Sequence, residues 1–491
     1  MFRRIRLALL AVAICAAGVA PHGAAQPRTP TADLSTSLAA LVTTANLGDH
    51  VGIAVADAAT GRVIFESHGA TALNPASNMK LITAAAVLSE LGSDFQMLTG
   101  LYGKIEGDAV TGGLYIKGFG DPTLRISDLH DLAQDLADQG VRTVDEVVVD
   151  GGYFDAQFLP PAFDQQPNEV ATFRAAIGAV SVDENAYALR IIPGAEAGQP
   201  AVVRLDARGY FDVTSELTTS PGGDPNVRAE QRTVGDRLAL TLRGTVPLGI
   251  RGVTYRRRVE RPLAYAGYAL VEALRRAGIR APGRIRVGVV PPESALLASH
   301  RSAPLAQILP ALGKDSDNFT AEMLLKVLGA ERRHRPGRTA DGVSVALGVL
   351  GRMGIAAREV TMINGSGLYE GNLVAPLHVV KLLGNVYRNP GLRAEYVSQL
   401  AIGGVDGTLG GRFRDLRAPR VVRGKTGTLN DVIALSGYVL GPSPERALTF
   451  SILANGVTGH HGEARTLGDG IVRALVDDLY PPPPTATPPA P

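Results

Sequence analysis

Both ends of this chain carry the pattern of one mixed helix-and-strand domain, and a long stretch between them breaks it. Residues 32–47 place Leu34, Leu38, Leu41 and Val42 on one helical face, and 51–56 and 63–67 read as strands around Ala59-Thr60-Gly61. Asn74-Pro75-Ala76 then opens a helix, since Asn is a good N-cap and Pro is tolerated in a first turn. That helix runs through 81–91 and stops at Gly92, a C-cap residue. From about residue 95 the pattern changes to short strands and Gly/Pro turns, clearest at 114–117, 146–149, 201–205, 238–242 and 285–290, with one helix at 262–277. Amphipathic helices return near Leu305, followed by strands at 421–429, 433–440 and 447–454 and a last helix at 464–480. The simplest account is one discontinuous domain, residues 30–96 and 298–480, interrupted by a strand-rich insertion, residues 97–297, read as two nested subdomains.

The termini say where such a chain works. Arg3, Arg4 and Arg6 precede a short apolar run at 7–20, and Gly23 and Ala25 fit a small-x-small cleavage site before Gln26. Residues 1–25 therefore read as a removed signal peptide, and the mature protein as exported to the periplasm or cell wall. The single cysteine, Cys15, lies within that leader, and bulky Ile14 before it does not suit lipid attachment. Disulfides, cysteine–zinc sites and cysteine nucleophiles are then excluded together. No second long apolar run follows, so membrane contact is at most peripheral. Residues 481–491 form a Pro-rich tail with no means of building a core. The balance of 49 Lys+Arg against 47 Asp+Glu leaves a net charge of +2, and the only dense basic run is Arg256-Arg257-Arg258, a solvated face rather than a nucleic-acid site.

Three motifs carry chemistry. In Ser77-Asn78-Met79-Lys80 the residues at i and i+3 share a helical face, so the hydroxyl and the amine can meet. Ser77 also lies in a first turn, where unpaired N–H groups favour a developing oxyanion. A serine hydroxyl needs a base within reach, and lysine serves once burial or a second cation lowers its pKa. In Ser316-Asp317-Asn318, ahead of a helical stretch at 319–327, the Ser316 hydroxyl can relay a proton and the Asn318 amide can hold substrate or the lysine. In Lys425-Thr426-Gly427-Thr428, at the start of the strand block, a cation and hydroxyls on an edge strand can bind a carboxylate. Gly427 admits close backbone approach, and the Thr428 N–H can complete an oxyanion hole with that of Ser77. Each motif alone is common; their order along one chain is not. Few of the basic residues are Lys rather than Arg, yet Lys80 and Lys425 both fall in motifs, and Arg cannot replace a neutral base.

On these residues the chain resembles the class C low-molecular-mass penicillin-binding proteins, the D-alanyl-D-alanine carboxypeptidase/endopeptidase family. The resemblance extends to Gly118-Phe-Gly-Asp-Pro-Thr-Leu, Ala179-Val-Ser-Val-Asp-Glu-Asn, Asn364-Gly-Ser-Gly-Leu, Gly404-Val-Asp-Gly-Thr-Leu and Arg423-Gly-Lys-Thr-Gly-Thr-Leu. It implies an α/β (α+β) fold: a β-lactamase/penicillin-binding transpeptidase-like domain, its central antiparallel sheet flanked by helices, with a large insertion. It implies that Ser77 is acylated, that Lys80 is the base with Ser316 and Asn318 assisting, and that Lys425 and Thr426 grip a terminal carboxylate. It also implies an acidic residue of the insertion near the stem peptide's diamino acid, for which Asp150 is the candidate. Peptidoglycan stem peptides and β-lactams are the implied partners, with no cofactor and no metal. A β-lactamase-like hydrolase and a non-catalytic wall-binding scaffold of the same fold are the competing readings.

Overall fold

The computed structural model describes residues 32–482. The expected signal peptide, residues 1–25, and nearly all of the Pro-rich tail lie outside those residues. The chain ends build a six-stranded sheet from β1 (Val51–Asp57), β2 (Val63–Ser67), β3 (Ala401–Ile402), β4 (Val422–Thr428), β5 (Val432–Val439) and β6 (Leu448–Asn455). Its order is β3-β4-β5-β6-β1-β2, and every neighbouring pair is antiparallel. The N-terminal hairpin thus closes onto the last strand of the chain, with Val51 opposite Ala454 and Asp57 opposite Leu448. This long-range pairing joins the two sequence segments into one domain.

Strand periodicity explains the layers. Along β5, Ile433, Leu435 and Val439 face one side and Ala434 and Tyr438 the other. The first set packs on α1 (Ala32–Ala45) and the C-terminal α4 (His461–Leu479) through Leu34, Leu38, Leu467, Ile471 and Leu475. The second packs under α2 (Met79–Leu91) and α3 (Asn318–Arg332), where Met79, Ile82, Phe319 and Met323 are buried. Each such aliphatic side chain contributes roughly 1.5–3 kcal/mol by leaving water. No helix among the described residues is long and apolar enough to cross a membrane.

The insertion leaves and returns through one clasp. Ser302 N–H donates to Met97 O at 2.9 Å, and Met97 N–H donates to Ser302 Oγ at 3.0 Å. Between them, strand Leu98–Glu106 pairs with returning strand Ala295–Arg301, so the insertion's sheet extends past the expected limit at Leu297 to Arg301. Two smaller three-stranded sheets follow between residues 186 and 258, and buried residues of all three sheets join one continuous core. A helix at Ile126–Asp138, absent from the sequence reading, buries Leu129, Leu132, Ala133 and Leu136 against that core. Its i, i+3, i+4, i+7 stripe was present in the sequence, but the surrounding turn residues obscured it.

Candidate active site

The nucleophile turn is more constrained than a plain capped helix. Ser77 sits in a 3₁₀ turn, Ala76–Asn78, and α2 starts only at Met79. Asn74 does not cap the helix as expected; its Oδ1 accepts from Ala76 N–H at 2.9 Å, within the turn. Ala76 adopts φ 46°, a left-handed conformation that costs a non-glycine residue about 1 kcal/mol or more. Packing holds it there. A Cβ on Gly367 would lie 1.8 Å from Ala76 O, and one on Gly427 would lie 3.0 Å from both Ala76 Cβ and Pro75 O. The turn is therefore gripped between the 364–367 loop and β4, while Asn78 Nδ2 donates to Ser436 Oγ on β5 at 2.8 Å.

Lys80, only 1 % exposed, lies one turn along from Ser77. Its Nζ is 3.0 Å from Ser77 Oγ, 2.6 Å from Asn318 Oδ1 and 2.7 Å from Ser366 O. The amide oxygen and the carbonyl can only accept, so a neutral amine must give them its two N–H bonds. Its lone pair is then left for the Ser77 hydroxyl. Burial lowers the Lys80 pKa from 10.5 to about 7, against the opposing pull of Asp317 and Glu322.

A second buried lysine completes the set. Lys425 on β4 donates to Ser316 Oγ at 2.8 Å and to Thr426 O at 2.7 Å. Burial holds its pKa well below the ordinary value, and the nearby Lys80 charge adds to this. Ser316 has φ 62°, and Asp317 caps α3 by accepting from Thr320 N–H at 2.6 Å. That cap starts the helix with Asn318 directed at Lys80. Beyond Gly424, β4 has no neighbour on its β3 side among the described residues, so Lys425 to Thr428 border an open sheet edge.

Ser77, Ser316, Asn318 and Thr428 line one cavity of about 450 Å³. Lys80 and Lys425 are buried and hydrogen-bond to the lining residues Ser77, Asn318 and Ser316, and Thr426 and Gly427 precede the lining residue Thr428 on β4. Eight of the nine residues singled out from sequence are thus gathered in or beside this cavity. Asp150 is not. It ends strand Val147–Asp150 in the insertion, is 1 % exposed, and accepts from Gly152 N–H at 2.9 Å and Val290 N–H at 3.0 Å. Its remaining partner is Lys117 Nζ at 3.2 Å. Both of its oxygens are hydrogen-bonded within the insertion, and it does not line the Ser77 cavity. The acids that do line the cavity are Glu370 and Asp431.

Other residues were missed. Glu322, one turn after Asn318 on α3, is fully buried and accepts from Gly365 N–H at 3.1 Å and Ser366 N–H at 2.7 Å. It therefore anchors the loop residue Ser366, whose carbonyl holds Lys80. Burial raises its pKa, while the Ser366 hydroxyl, these two N–H groups and Lys80 oppose the rise. One turn further, Lys326 pairs with Asp155 of the insertion. The insertion also reaches the site itself: Phe173 O accepts from Asn318 Nδ2 at 3.0 Å, and Gln165, Gln166 and Phe173 line the cavity. The one available signal was the Asn364-Gly-Ser-Gly-Leu motif, which revealed neither its contact with Lys80 nor the carboxylate behind it.

A serine with a buried lysine at its back, beside an open antiparallel edge on a penicillin-binding fold, defines a serine peptidase of the penicillin-binding class. Residues 34–476 match the D-Ala-D-Ala carboxypeptidase 3 (S13) family. The D-alanyl-D-alanine carboxypeptidase of Actinomadura sp. (strain R39) is 36 % identical over 430 residues, covering 83 % of this chain and 78 % of that one. D-alanyl-D-alanine carboxypeptidase DacB of Haemophilus influenzae is 26 % identical over 441 residues, covering 88 % and 91 %. The crystal structure of penicillin binding protein 4 (dacB) from Haemophilus influenzae superposes with a TM-score of 0.74 at 24 % identity, covering 90 % of this chain and 99 % of that one. The chain belongs to the S13 family of serine D-Ala-D-Ala carboxypeptidases.

Proposed function

We propose that this enzyme cleaves D-alanyl peptide bonds of peptidoglycan stem peptides outside the cytoplasm, with Ser77 as nucleophile and neutral Lys80 as general base. The observation that carries the reading is the Lys80 environment: two fixed acceptors take its N–H bonds and leave its lone pair 3.0 Å from Ser77 Oγ. Substrate adds antiparallel to the open edge of β4. Ser77 Oγ attacks the penultimate D-Ala carbonyl as its proton passes to Lys80 Nζ. The N–H groups of Ser77 and Thr428 receive the oxyanion. The Ser316 hydroxyl relays that proton from Lys80 to the leaving amine, giving up its own proton and taking the one held on Nζ, as the C–N bond breaks; water, its proton taken by the neutral Lys80, later cleaves the ester. Lys425 is fully buried, so it attracts the substrate's terminal carboxylate from below, while the exposed Thr428 supplies the hydroxyl at the cavity surface.

A leaving D-alanine and a leaving cross-linked D-residue make the same acyl-enzyme, so the reading includes endopeptidase as well as carboxypeptidase activity. β-Lactams, whose strained amide mimics the same bond, acylate Ser77. A fluorescent penicillin labels the wild type covalently and leaves Ser77→Ala unlabelled; labelling of the Ala variant overturns the nucleophile assignment. Mass spectrometry of products from defined cross-linked and uncross-linked muropeptides measures the two activities separately.

A further inference from the structure

The insertion carries a second cleft, of about 530 Å³, that shares no lining residue with the Ser77 cavity. Four guanidinium groups line it: Arg190 on strand Ala186–Ile192, Arg204 on strand Val202–Arg204, Arg208 in the following turn, and Arg276 at the end of helix Pro262–Arg276. Arg276 is paired, with Glu272 at 3.5 Å and Asp206 at 3.7 Å. Arg190, Arg204 and Arg208 form no ion pair among the described residues and are exposed. Arg190 and Arg204 are also directly opposite each other across the antiparallel ladder. Like charges at such positions destabilise a sheet, and folding gains nothing from this pair. Two lining carboxylates do not neutralise four cations, and the apolar residues Val203, Leu205 and Val213 are also among the lining.

We propose that this cleft binds free carboxylates of stem peptides on a peptidoglycan strand other than the one being cleaved, holding the enzyme on its polymer. The proposal rests on the peptidoglycan reading of the Ser77 site. Planar guanidinium groups bind carboxylates through paired hydrogen bonds, and two on adjacent strands can clamp one group or two closely spaced ones. The volume is in the range of specific ligand sites. A polymer with carboxylate-bearing peptides at regular intervals presents a second copy whenever the first is in the active site.

The test uses the full mature enzyme, acylated with a fluorescent penicillin so that the Ser77 cavity is blocked and the fraction competent at that site is counted. Binding to purified sacculi is measured by co-sedimentation, before and after acid extraction of phosphate polymers. Arg190→Glu/Arg204→Glu should bind sacculi at least tenfold more weakly. Its penicillin acylation and its kcat/KM on a short soluble peptide should stay within twofold of wild type. A milder pair, Arg190→Gln/Arg204→Gln, should bind weakly with a melting temperature equal to or above wild type, because it removes a repulsion. Wild-type binding by both variants overturns the proposal. So does wild-type binding that disappears once phosphate polymers are extracted, which would assign the cleft to phosphodiesters. Failure of penicillin labelling would instead refute the Ser77 reading, so the two failures are distinguishable.

Discussion

The titration of Lys80 is the sharpest test of the site, because its neutral form is the one that can take the Ser77 proton. With its pKa lowered to about 7, a tenth of Lys80 is neutral at about pH 6 and nine-tenths at about pH 8. The second-order rate of acylation by a penicillin should therefore rise about tenfold between these pH values and level off above them. A lysine at the unshifted value of 10.5 would give about a hundredfold rise over the same interval, with no plateau before about pH 10. The sign follows from the cause: burial disfavours the ammonium form, so the active amine is populated from neutrality upward. Asp317 and Glu322 oppose this shift, and Lys425, itself held low by burial, is the other lysine within electrostatic reach of Lys80. The assay is single-turnover acylation followed by stopped-flow, since a penicillin carboxylate does not titrate in this range. A slope that continues undiminished through pH 9 refutes the argument. So does wild-type acylation by Lys80→Arg, whose guanidinium cannot become neutral.

Other perturbations read neighbouring parts of the same structure. Glu322→Gln removes a negative charge that raises the Lys80 pKa, so the rising limb of the acylation profile should move to lower pH; its plateau should fall about tenfold or more as the Ser366 carbonyl loses its support. A limb that stays in place, with only the plateau lowered, assigns Glu322 a structural role alone. Asp155→Ala leaves Lys326, 1 % exposed, without its carboxylate and should cost about 3 kcal/mol in urea unfolding; a loss below about 0.5 kcal/mol would show that the pair does not hold the insertion to α3. Gly367→Ala forces a Cβ onto Ala76 O at a backbone φ of 76°, and should reduce penicillin acylation by about a hundredfold or prevent folding; thermal melting distinguishes the two, and a variant with wild-type labelling contradicts the tight packing of the nucleophile turn.

The sequence reading succeeded where an interaction is local or periodic. Ser77 and Lys80 are three residues apart and meet because a helical turn brings them together. The strands β4 to β6 were legible as short runs bounded by turn residues, β5 and β6 being buried on both faces, and the last helix as a 3.6-residue repeat that follows from burial on one face. Asp150 was misjudged for the opposite reason. A carboxylate at a strand end looks the same in sequence whether it faces solvent, a ligand or a lysine of the neighbouring strand, and here it faces Lys117. Glu322 passed as an unremarkable helical glutamate because its partners, Gly365 and Ser366, lie more than forty positions away.

By itself, then, the sequence determined that a hydroxyl, two amines and an open strand edge would recur in a fixed order on a discontinuous domain, and so which family of chemistry was available. The tertiary structure decided the state of those groups. Whether Lys80 is an ammonium on a surface helix or a neutral base under Ser77 depends on what removes its water and which acceptors replace that water. Those acceptors, Asn318 Oδ1 and Ser366 O, come from segments 238 and 286 residues away along the chain. Desolvation is a property of packed volume, and no local pattern of residues encodes it.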